Sequence, residues 1–107
     1  MGDWTFLTNH GHVLLCIAAD PEIRLRDVAE KVGITERAAQ RIVADLIDAG
    51  YVSSQKTGRR RYYQIHEGLP FRHPVERHQQ IGLLLHLVTG VPAHGLRMDT
   101  PPQERES

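Results

Sequence analysis

A chain of 107 residues has room for one domain with a single core and little beyond it. Its 40% apolar and 24% charged residues are the composition of a soluble globular protein rather than a disordered one. The formal net charge is zero, which is not the strongly basic balance usual in a nucleic-acid binder and makes the distribution of charge the informative quantity.

The longest uncharged apolar run, Val13 to Ala19, is far too short to span a bilayer, so no membrane partner is expected. The start, "MGDWTFL", has no basic segment leading into an apolar core, and no signal peptide is expected. Phe6 stands where a myristoylation signal needs Ser or Thr. The single cysteine, Cys16, cannot form an internal disulfide and suits a reducing cytoplasm, the expected location.

In chain order, Asn9 is suited to cap a helix over about 10–19, with Val13, Leu14 and Ile17 on one side. Asp20-Pro21 ends it, because the residue before proline is pushed out of the helical region. "RDVAEKVG" predicts a second helix with Asp27 in its first turn, Val28, Ala29 and Val32 inward, and Gly33 as a left-handed stop. After the turn "GIT", Thr35 is the N-cap of a third helix. Ala38, Ala39, Ile42, Val43, Leu46 and Ile47 form its apolar stripe, and Gly50 ends it. Ala38 stands where a capping box would want Glu or Gln, so that cap is single-sided.

From Tyr51 the period changes. "YVSSQ" and "RYYQI" are rich in β-formers and flank the turn "KTGR", which predicts a two-stranded hairpin. Arg61, Tyr63 and Ile65 share one face, and Arg60, Tyr62 and Gln64 the other. "HEGLPFR" reads as a loop, and His73-Pro74 as the opening of a last helix carrying Ile81, Leu83, Leu84, Leu85, Leu87 and Val88. The end, "DTPPQERES", reads as a flexible tail. The expected class is mainly α with a small β-hairpin: a DNA-binding unit over 1–72, a dimerisation helix over 73–90 and a tail over 91–107.

Two helices joined by a short glycine turn make a helix-turn-helix, whose second helix can lie in the DNA major groove. Opposite its apolar stripe the third helix presents Glu36, Arg37, Gln40, Arg41 and Ala44. Arg suits the O6 and N7 edge of guanine and Gln the N6 and N7 edge of adenine. Ala44 is small enough to let a duplex approach. Lys56, Arg59, Arg60 and Arg61 give residues 51–65 four positive charges and no acid, so a neutral chain can still present a basic face. Such a turn beyond a recognition helix would reach the phosphate backbone or the adjacent minor groove. Arg24 and Arg26 are possible phosphate contacts, and Tyr62 and Tyr63 read as packing rather than base stacking.

These residues, "RLRDVAEKVGITERAAQRIVADLIDAGYV" followed by "KTGRRRYYQI", resemble the bacterial winged helix-turn-helix transcription regulators of the broad MarR/ArsR type. The resemblance covers roughly Asn9 to Ile65 and the apolar C-terminal helix. It implies a homodimer that binds an inverted-repeat operator in double-stranded DNA. By position, Thr35, Arg37, Gln40 and Arg41 would be recognition-helix contacts, and Lys56, Arg59, Arg60 and Arg61 would belong to the wing. Larger MarR-type proteins add helices at both ends that build a ligand pocket, and this chain leaves little room for them. No effector is identified.

Blander readings stand beside these. A solvated helix face would account for Arg37, Gln40 and Arg41 alone, and a charged turn for the basic run alone; it is their spacing together that points to DNA. The apolar stripe is core either way. A winged-helix protein–protein interaction module is the main rival, favoured by the neutral charge and Glu36 but with no need of three consecutive arginines after Gly58. Metal sensing has weaker support. A zinc site wants four ligands at short spacing, while Cys16 lies in an apolar helix, and His10 and His12 point to different helix faces. His78 and His86 would share a face of the last helix without a matching acid; His73, Glu76 and His78 would at most make a weak shared site. No cofactor is expected. Neither a nucleophile elbow, a phosphate loop nor HExxH appears, so no enzyme is expected.

The last helix is more apolar than a lone peripheral helix needs to be. Ile81, Leu84, Leu85 and Val88 are therefore the expected dimer contacts, and a chain cut before His73 is expected to be monomeric.

Overall fold

The computed structural model describes residues 4–90. The element order is α1 (Asn9–Ala19), α2 (Leu25–Val32), α3 (Glu36–Asp48), β1 (Val52–Thr57), β2 (Arg60–Ile65) and α4 (Ile81–Thr89). The chain divides into two compact units between His66 and Glu67. The tail expected over 91–107 lies outside the described residues.

In the first unit α1, α2 and α3 pack on one another, and β1 follows directly onto α3. Val13, Leu14 and Ile17 of α1, Val28 and Ala29 of α2, and Ala39, Ile42, Val43 and Leu46 of α3 are buried, together with Ile23, Tyr51, Val52 and Tyr63. The stripe on α3 is narrower than the sequence suggests: Ala38 is half-buried and Ile47 exposed.

The cap of α1 is Thr8, not Asn9. Thr8 takes the extended backbone an N-cap requires, and its Oγ1 accepts from the Gly11 N–H at 3.3 Å. Asn9 is the first helical residue, with its Oδ1 3.3 Å from a His12 ring nitrogen. Helix α2 begins at Leu25 without a side-chain cap, while Asp27 and Lys31 complement its dipole at the two ends. It stops at Gly33, whose φ of +87° suits a residue without Cβ; the Gly33 and Ile34 N–H groups both donate to the Ala29 carbonyl. The turn leads into α3, where Thr35 Oγ1 accepts from the Ala38 N–H at 3.0 Å. At its far end the Gly50 and Tyr51 N–H groups donate back to Ile47 and Leu46. Thr35→Ala removes the cap while leaving the core untouched, so it should lower stability by about 1 kcal/mol. A shift of the urea midpoint at constant slope checks this.

The hairpin strands are longer than the sequence reading. Val52 pairs with Ile65 and the ladder runs to Thr57 opposite Arg60, leaving a two-residue loop of Gly58 and Arg59. Gly58 sits at φ +63°, the left-handed geometry a two-residue hairpin loop demands. The Tyr63 N–H donates to the Pro21 carbonyl at 2.9 Å, so β2 is tied to the connection between α1 and α2.

In the second unit the last helix starts at Ile81, not at His73. Residues 73–79 form turns in which Glu76 and Gln79 each donate three positions back, to His73 and Glu76. The Phe71 N–H donates to Gln79, the Ile81 N–H donates to Leu69, and Pro70 bridges Gln80, so the chain doubles back on itself before α4. The reason lies in "VERHQQ", whose one apolar residue, Val75, is exposed: a helix there would have no face to bury. His78 is consequently not a helical neighbour of His86. The Gly82 N–H donates to the Glu67 carbonyl, and a Cβ at Gly82 would stand 2.9 Å from Glu67 Cβ, so only glycine lets the first turn of α4 approach this closely. His86 Nε2 lies 3.0 Å from Glu67 Oε1. No helix among the described residues is long and apolar enough to cross a membrane.

Candidate nucleic-acid interface

Helix α3 presents two sides. Its buried side is Ala39, Ile42, Val43 and Leu46; the opposite side exposes Thr35, Glu36, Arg37, Gln40, Arg41 and Ala44. The exposed side is a shallow groove whose floor includes Ala38 and Ala44, with Arg37, Gln40 and Arg41 along it. Arg37 and Arg41 are four positions apart and so fall one turn apart on the same side. Among the described residues no acid pairs with either guanidinium. Both keep their donors available to a ligand.

The hairpin gathers the second cationic group. Lys56 lies directly opposite Arg61, Arg60 closes the ladder, and Arg59 is in the loop, with all four side chains exposed. They are not equivalent. Arg61 donates from Nη1 to Ser54 Oγ at 2.7 Å, and Arg60 forms an ion pair with Glu22. Lys56 and Arg59 have no side-chain partner among the described residues. Glu22 is the residue that reading the sequence misses. It lies far upstream, and the bond from Tyr63 to Pro21 holds its segment beside β2.

A second groove runs between that segment and the wing, lined by Glu22, Arg24, Arg59, Arg60, Arg61 and Tyr63. Arg24 thus joins the wing arginines, while Arg26 does not line the groove. Tyr63 is buried, and burial pushes its phenol upward against the opposing pull of the Arg61 guanidinium. Tyr62 is on the outer side, its Oη 3.4 Å from Thr57 Oγ1.

The histidines among the described residues are dispersed. His10 pairs with Asp45 at 2.9 Å, tying α1 to α3, and among the described residues no three His, Cys, Asp or Glu side chains come together to hold a metal. Cys16 is half-buried, and burial pushes its thiol up, away from the thiolate that nucleophilic or ligand chemistry uses.

A family model described as winged helix-turn-helix DNA-binding matches residues 7–53, from the approach to α1 through the start of β1. Among solved structures, the chain is similar to the crystal structure of the zinc-dependent MarR family transcriptional regulator AdcR in its Zn(II)-bound state. That likeness has a TM-score of 0.45 and 16% identity, and covers 63% of this chain and 47% of the other, so the match spans about half the length of that regulator. No curated protein matches the chain. The residues this model matches, 7–53, carry the three helices and run on into the basic hairpin of β1 and β2.

Proposed function

We propose that this protein is a sequence-specific transcription regulator of the MarR/ArsR kind that binds an inverted-repeat operator as a homodimer. The observation that carries the reading is the exposed side of α3, where Arg37, Gln40 and Arg41 stand along a groove and no acid among the described residues neutralises either arginine. Placed in the major groove, each well-formed bidentate contact to a base edge contributes roughly 1–3 kcal/mol of discrimination. Thr35 belongs with these recognition-helix contacts, and the wing residues Lys56, Arg59, Arg60 and Arg61 contact the backbone or the adjacent minor groove and fix register without reading sequence. The interaction-module alternative gives no reason for this second cationic group.

The DNA-binding unit is followed by α4 as the dimerisation element. Exposure divides its apolar residues into two sets. Ile81 and Leu85 are 4% and 2% exposed and are not available to a second copy. Leu83, Leu87 and Val88, at 39%, 81% and 54%, are the apolar residues left open, with Leu84 half-buried at their margin. A homodimer on an inverted repeat presents its two recognition helices about 34–36 Å apart, or a multiple, to match successive turns of the duplex.

Selection of bound duplexes from a random pool near physiological salt, with the oligomeric state recorded alongside, tests this. The expected result is an enriched inverted repeat held by a dimer. Absence of enrichment, and of binding even at low salt, would favour the interaction-module reading.

A further inference from the structure

Among the described residues one acid pairs with the wing. The Glu22 carboxylate pairs with Arg60 inside the groove that Arg24, Arg59 and Arg61 also line. It is presented from a fixed turn: the Glu22 N–H donates to Asp20 Oδ1 at 3.1 Å, and the Ile23 N–H donates to the Asp20 carbonyl while the Ile23 side chain is buried. The wing does not need this ion pair to stay in place. The Tyr63 N–H is bonded to Pro21, the Tyr63 side chain is buried, and the ladder from Val52–Ile65 to Thr57–Arg60 is complete without it. The two side chains are 72% and 52% exposed, and pairs of that kind add at most about 1 kcal/mol to stability. As support for the fold the contact is redundant.

Its effect on a ligand is not. A guanidinium fork accommodates carboxylate and phosphate oxygens in the same planar, two-point geometry. We propose that Glu22 is an internal competitor for DNA phosphate at Arg60: it occupies the position a backbone phosphate would take and lowers the affinity of the wing for every duplex. The proposal rests on the DNA-binding reading above. A phosphate that takes Arg60 must break the ion pair and approach a second negative charge, so binding is weaker than the four wing cations alone would give. Glu22 sets affinity without contacting a base.

The test measures the full chain binding a duplex of arbitrary sequence at about 50 to 200 mM salt, the range over which phosphate contacts are strongly titrated. It compares wild type with Glu22→Gln, Arg60→Gln and the double variant, and uses Asp48→Asn as a control of equal charge change. Asp48 is the last residue of α3, roughly 20 Å along the axis from Thr35. Glu22→Gln should bind about two- to fivefold tighter at low salt, the strength of an exposed pair expressed as a ratio. The gain should shrink as salt rises and vanish when Arg60 is also Gln. Asp48→Asn should bind as wild type does. Unchanged or weaker binding by Glu22→Gln would overturn the proposal, as would an equal gain from Asp48→Asn or a gain that survives loss of Arg60. If neither wild type nor Glu22→Gln binds any duplex at the lowest salt, the DNA-binding reading itself fails and takes this one with it.

Discussion

Replacing Arg59, Arg60 and Arg61 together by alanine should weaken binding to every duplex by about ten- to a hundredfold near physiological salt and flatten its salt dependence, whereas Arg41→Ala should change which base pairs are preferred. The two outcomes follow from what each group can touch. Every phosphate neutralised contributes about −0.9 to the slope of log K against log salt, so loss of three wing cations removes at most roughly 2.7 from it. The observed change should fall short of that limit, because Arg60 is already paired with Glu22 and Arg61 is bonded to Ser54. Arg59, without a side-chain partner in the described structure, should account for the largest single share. Arg41 lies instead on the groove-lining side of α3, where a lost base contact is worth about 1–3 kcal/mol at one position and little elsewhere. Binding isotherms on the selected operator, on single-base variants of it and on an unrelated duplex, each across a salt series, separate the two. Identical losses on every sequence for both variants would mean that α3 does not read bases.

The parts of this site that are local in sequence are also the parts legible in it. Helix α3 announces itself through Thr35 at its cap and four buried apolar residues at helical spacing, and the same spacing fixes which side carries Arg37, Gln40 and Arg41. The hairpin is legible because Gly58 can take the positive φ of a two-residue loop between runs of β-formers. Elsewhere the backbone geometry, a more distant bond or burial decides what sequence pattern alone does not. Thr8 and Asn9 are both capable caps, and the backbone of Thr8, extended with its hydroxyl toward Gly11, settles it. Pro74 is a fair signal for a helix start, but the main chain from Phe71 to Ile81 is committed to pairing with itself. Glu22 meets Arg60 where β2 bonds to Pro21, a pairing no window of sequence contains. In α4 almost every residue is apolar, so periodicity cannot separate the inner pair Ile81 and Leu85 from the outer Leu83 and Leu87.

That last distinction carries the second large effect: Leu83→Asp combined with Leu87→Asp should separate the proposed homodimer while leaving a folded chain. The two positions are four apart, hence on one side of α4, and both are exposed, so the change inserts two carboxylates where a second copy would otherwise bury leucine. Burying unpaired charge is strongly unfavourable, and in the free chain neither carboxylate needs to leave water. A monomer engages one half-site at a time. Losing the linked second contact lowers apparent operator affinity by about 10²–10⁴, with affinity for an isolated half-site unchanged. Light scattering after size exclusion gives the mass, and titration of operator against half-site duplex gives the ratio. A double variant that remains dimeric would move the interface off α4. The exposed pair Trp4 and Phe6, edge to face at 5.1 Å before α1, would then be the next apolar surface to substitute.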